Sequence, residues 1–142
     1  MSTHPTDLGG ALSAQASKGR LWTGRALSAF AILFLLFDGV MKLVKPASVI
    51  EATVRLGYAE SMIAGIGIVL LAATLLYGIP RTSVLGATLL TGYLGGAVAS
   101  NVRAAMPLFN IAFPVIFAMI VWGGLWLRDK RIAQLIPIAS PR

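Results

Sequence analysis

The segment SMIAGIGIVLLAATLLYGIPRTSVLGATLLTGYLGGAVAS, residues 61–100, holds two long apolar runs separated only by Pro80-Arg81. Each run is close to the ~20 residues that cross a ~30 Å hydrocarbon layer as a helix. They read as two spans, about Ser61 to Ile79 and Thr82 to Ser100, and the very short turn between them makes an antiparallel hairpin. Upstream lies a span from about Leu21 to Val44 with the dense core ALSAFAILFLLF, ended by Pro46 because the residue before a proline is pushed out of helical geometry. Downstream a fourth runs from about Met106 to Leu127, with Pro107 in its first turn, Pro114 in its interior and the basic residues Arg128, Lys130 and Arg131 at its close. The expected fold is all-α, an integral membrane four-helix bundle.

Composition agrees, since 57% of the 142 residues are hydrophobic and 12% charged, against ~25% charged in soluble domains. Four spans leave no room for a second domain. The expected division is a disordered cytoplasmic tail over 1–19, a four-span membrane domain over 20–135 and a C-terminal tail over 136–142. The first tail is aperiodic in Ser, Thr, Gly, Pro and Gln and has no apolar core before Lys18, which argues against a cleaved signal peptide.

The chain contains no cysteine, which removes thiol nucleophiles, disulfide relays, cysteine-ligated zinc and iron–sulfur clusters. Its one histidine, His4, lies in the polar tail, so no intramembrane histidine pair can hold a haem or metal. No phosphate-binding loop occurs. The net charge of +7 comes from cations at span ends, where they set topology, so nucleic acid is not an expected partner.

After Pro46 the stretch ASVIEATVRLG has Ser48 and Glu51 in capping-box spacing, Glu51 and Arg55 four apart, and Val49, Ile50 and Val54 grouped together. It reads as a short amphipathic helix at the membrane surface, stopped at Gly57. In the third span Thr88, Gly92, Gly96 and Ser100 recur every four residues, a small-residue ridge expected to pack against a neighbouring helix. For topology, Lys18, Arg20, Arg25, Arg81, Arg128, Lys130, Arg131 and Arg142 fall on one side of four crossings, and Lys42, Lys45, Arg55 and Arg103 on the other. Both termini are therefore expected in the cytoplasm. Trp22, Tyr77, Trp122 and Trp126 cluster at that same face.

The opposite face collects the polar groups: Asp38 and Lys42 near the end of span one, Glu60 at the start of span two, Asn101 and Arg103 at the end of span three, and Asn110 near the start of span four. Tyr93 lies deeper. At ~1.5 Å per residue, Asp38 is about 9 Å inside Val44 and Tyr93 about 10 Å inside Ser100, a common depth. Each has a structural reading as well. Asp38 and Lys42 can neutralise each other, Glu60 can serve a helix N-terminus, Arg103 a helix C-terminus, Asn110 the carbonyl freed by Pro114, and Tyr93 a backbone group. Arg25 is expected to reach back to the cytoplasm. Convergence from four helices argues for a cavity open to the outer face or outer leaflet, because an intramembrane ionisable group is costly unless it is paired or faces a polar space.

The segments LLFDGVMKLVKP, LGYAES, LLTGYLGGAVASNVRAAMPLF and WGGLWLRD resemble the DoxX-like family of small bacterial four-span membrane proteins, over roughly Trp22 to Leu135. The family takes its name from a subunit of a membrane thiosulfate:quinone oxidoreductase. The resemblance implies residence in the bacterial plasma membrane, a quinone or similar lipophile as ligand with no covalent or metal-held cofactor, and a membrane or peripheral oxidoreductase as partner. It carries the family's polar pattern onto Asp38, Lys42, Glu60, Tyr93 and Arg103. Asn101 stands where relatives often have histidine, and Ala59 where proline is common, so a possible general base is missing. Three functions follow. The first is a non-enzymatic subunit that binds a quinone or lipophile for a redox partner. The second is an autonomous enzyme with Asp38 as base and Lys42, Tyr93 or Arg103 stabilising negative charge. The third is an assembly or chaperone factor acting through the ridge of span three. A homo-oligomer is compatible with each.

Overall fold

The computed structural model describes residues 5–135, and each apolar run in it is helical. The order is α1 (Pro5–Val44), α2 (Ala47–Arg55), a 3-10 turn (Glu60–Met62), α3 (Ile63–Gly78), α4 (Ser83–Arg103), α5 (Leu108–Arg128) and α6 (Lys130–Leu135). Among the described residues four helices are long and apolar enough to cross a membrane. The expected tail over 136–142 lies outside the described residues. The N-terminal expectation needs correcting, because α1 begins at Pro5, inside the stretch read as disordered. Ala11, Leu12, Ala14, Gln15 and Lys18 are good helix formers, and extending a helix already nucleated downstream costs far less than starting one.

α1 packs against α3 and α5, and α4 packs against the same two, giving the ring order α1, α3, α4, α5. Its axis is filled by Ala31, Leu35, Leu70, Ala73, Tyr77, Leu90, Leu94, Phe117, Val121 and Leu125. Close approaches sit at glycines that no repeat announces. A β-carbon at Gly86 would collide with the backbone of Tyr77 and Leu76, so α4 meets α3 there without a side chain between them. Gly24 and Gly124 similarly bring α1 and α5 together around Ser28.

The ridge of span three does not make such a contact. Nothing lies within 4 Å of a β-carbon built at Gly92 or Gly96, and Thr88 is exposed. The spacing gives a smooth stripe, but Gly92 and Gly96 in it face open space, Ser100 is buried at its end, and the close contact of α4 with α3 is made at Gly86 instead.

α2 forms where expected, without the expected capping box: its N-cap is Pro46, with no side-chain cap bond, and Glu51 and Arg55 form no salt bridge. It lies across the end of the bundle. Gly57 closes it in a left-handed conformation, φ +91°, and also leaves room for the Arg103 guanidinium, which would sit 2.9 Å from a β-carbon there. Arg103 Nη2 donates to the Leu56 carbonyl at 2.8 Å, tying α2 to the end of α4.

Candidate functional site

Beneath α2 lies a cavity of about 710 Å³, within the ~300–1,000 Å³ usual for small-molecule sites. One face of α2 roofs it through Ser48, Val49, Ala52, Thr53 and Leu56, spaced as a helix spaces one side. Its deep end is aromatic: Phe34 and Phe117 have ring centroids 4.5 Å apart, and Phe113 and Phe117 4.9 Å. Pro114, which lacks an N–H, lies in the same wall. The wall between α3 and α4 is thin. Gly65, Gly92 and Gly96 line the cavity with no neighbour against them, while the lining residues Met62 and Val69 are 60% and 59% exposed. Because these helices cross the membrane, the cavity opens sideways toward lipid.

The polar groups sit in an ordered way around this space. Lys42 Nζ donates to Asp38 Oδ2 at 2.6 Å, one helical turn apart on α1, and both residues line the cavity. The stem of Lys42 is fixed by α3, since Gly67 and Gly39 let the two helices close over it. Ser100 Oγ donates to the Gly96 carbonyl at 2.8 Å, so in its 2.6 Å contact with Tyr58 the phenol is the donor, leaving the Tyr58 oxygen to accept. Tyr93 also lines the cavity, and its hydroxyl makes no hydrogen bond among the described residues. A phenol, an ammonium with two N–H groups to spare and a carboxylate with one oxygen free therefore face a mostly apolar chamber.

The other sequence candidates are placed elsewhere. Asn101 is buried and its amide donates back to the Ala97 carbonyl at 2.8 Å. Arg103 serves α2, as above. Glu60 is exposed in the 3-10 turn, and Asn110 is half-buried and does not bond the carbonyl that Pro114 frees. None of the four lines the cavity. Sequence reasoning passed over Tyr58 and the Phe34, Phe113 and Phe117 cluster, and read Ser100 only as part of a packing ridge. Phe113 and Phe117 do stand four apart on α5, a spacing that could have marked them.

The family model for the DoxX-like family matches residues 26–124, more than half of the chain. The chain belongs to the DoxX-like family. The matched region is shorter at both ends than the resemblance over Trp22 to Leu135 implied, and it contains every residue lining the cavity of this DoxX-like protein. No curated protein and no solved structure matches it.

Proposed function

We propose that this DoxX-like protein is a non-enzymatic membrane subunit that binds a lipophilic ring compound of the quinone class and holds it for an oxidoreductase partner. The observation that carries this reading is the sideways-open cavity with aromatic rings at one end and unsatisfied polar groups at the other. A quinone ring could stack near Phe113 and Phe117 while its carbonyl oxygens accept from Lys42 and Tyr93, and an isoprenoid-like tail could leave between Gly65 and Gly96. When bound, such a group supplies reversible two-electron chemistry. The chain's own residues orient it, exclude water through the α2 roof and hold protons on Lys42 and the two phenols. The setting proposed is the bacterial plasma membrane with both termini cytoplasmic, which puts the cavity in the outer half of the bilayer.

Mass spectrometry of lipids extracted from gently purified protein tests this directly. Wild-type protein should carry a quinone-class molecule near one per chain. Gly96→Leu, which projects a side chain into the cavity at a position with room for it, should lose it while remaining folded. Equal retention in the variant, or no such molecule in the wild type, would overturn the proposal.

A further inference from the structure

At the end of the bundle away from α2, a second cavity of about 360 Å³ lies between α1 and the end of α5, lined by Ser17, Arg20, Leu21, Leu127, Arg128 and Lys130. Its ionisable lining is three cations and no carboxylate. Two of them have partners within the protein. Arg20 lies over the Trp126 ring, 4.5 Å from its centroid, and donates to the Trp126 carbonyl at 3.2 Å. Arg128 lies 4.9 Å over the Tyr77 ring and donates to the Tyr77 carbonyl at 2.9 Å. Such bonds are what cations near helix C-termini ordinarily make. They do not account for the rest. Arg128 Nε is buried with no hydrogen-bond partner among the described residues, although buried N–H groups are nearly always paired. Lys130 makes no hydrogen bond or ion pair there either.

The nearby acid is already engaged. Asp129 accepts from the Arg131 backbone at 3.0 Å and from its guanidinium at 3.2 Å, and those bonds hold its carboxyl below the usual range. Trp126 and the half-exposed end of α5 set the depth, since tryptophans at span ends lie at headgroup level. Basic pockets between helices at that level suit anionic headgroups.

We propose that this second cavity binds a phosphate-bearing anion, the phosphodiester of an anionic membrane lipid being the source its depth favours. Arg20 and Lys130 would flank the phosphate, Arg128 would add its charge from the wall of the cavity, and Leu21 and Leu127 would meet the start of the acyl chains. All six lining residues lie outside the region matched by the family, so the site would be a property of this chain and independent of the quinone-class cavity.

The test uses full-length protein in nanodiscs of phosphatidylcholine, with either phosphatidylglycerol or sodium phosphate added at constant ionic strength, and thermal unfolding as the readout. Phosphatidylglycerol should raise the midpoint by several degrees. Lys130→Gln removes a side chain with no bond among the described residues, so folding is kept, and it should weaken lipid binding about tenfold, so that about ten times as much phosphatidylglycerol is needed for the same shift, the size of one lost charge-assisted hydrogen bond. Arg81→Gln, an equal loss of charge at the same end but outside the cavity, should behave as wild type. A Lys130-dependent shift with phosphate, and none with lipid, would support the site and assign it to a free anion. No shift with either additive, or equal losses in the two variants, would overturn the proposal.

Discussion

Tyr93 carries a phenol with no hydrogen-bond partner among the described residues, facing a cavity on a membrane-spanning helix. Removing its oxygen should therefore cost the fold little. Tyr93→Phe is expected to unfold within ~0.5 kcal/mol of wild type and to bind a short-chain quinone about tenfold more weakly, by titration in detergent. A phenol that served only the structure would give the reverse. The Asp38–Lys42 pair calls for a double substitution. Lys42→Met alone strands a carboxylate and should destabilise by about 2 kcal/mol, whereas Asp38→Leu/Lys42→Met leaves no orphan charge and should unfold near the wild type while losing ligand. Wild-type ligand content in the double variant would reduce the pair to a structural ion pair. Sequence depth is legible at this scale because helical rise is fixed: Asp38 and Tyr93 were placed at one level by counting. Direction is not. Ser100 and Asn101 both bond the carbonyl four residues back, but they stand about 100° apart round the helix, and only Ser100 lies at the cavity.

Between helices, a small-residue stripe and a helix contact turn out to be separate things. The period of Thr88, Gly92, Gly96 and Ser100 was visible in the sequence, but period alone does not say whether a neighbour or a void lies opposite. Gly86 had no repeat to mark it, and its role depends on where Tyr77 falls across the Pro80 turn. Gly86→Ala should cost about 2–3 kcal/mol in detergent unfolding, since its new methyl meets backbone that cannot move aside. Gly96→Ala meets nothing and should be neutral or slightly stabilising, because alanine favours a helix by up to ~1 kcal/mol over glycine. Equal losses would place a helix against both. The α2 segment was similarly legible as an amphipathic helix after Pro46. That it roofs a chamber was not, because Thr53 and Leu56 acquire an inward side only once Arg103 anchors the helix end.

For the molecule as a whole, hydropathy and two turns determined the four-helix arrangement, since each span had one length to fill and short loops to turn in. The start of α1 was less legible than its end at Val44, because a polar, alanine-rich segment is helical or not according to what it continues. Orientation rests on the charge distribution. As the chain has no native cysteine, single cysteines report it cleanly. One placed at the exposed Glu51 should react with an impermeant thiol reagent on intact cells, and ones at Ser13 and Arg81 only after lysis. The opposite pattern would invert the bundle and move the α2 roof to the cytoplasmic side.

The gap between α3 and α4 also changes what affinity means for this protein. A compound that reaches Phe113 and Tyr93 through the lipid is drawn from a two-dimensional reservoir, so occupancy follows its mole fraction in the bilayer. Diluting vesicles into more buffer at a fixed lipid-to-protein ratio should leave a strongly partitioning ligand in place. Adding empty vesicles should strip it.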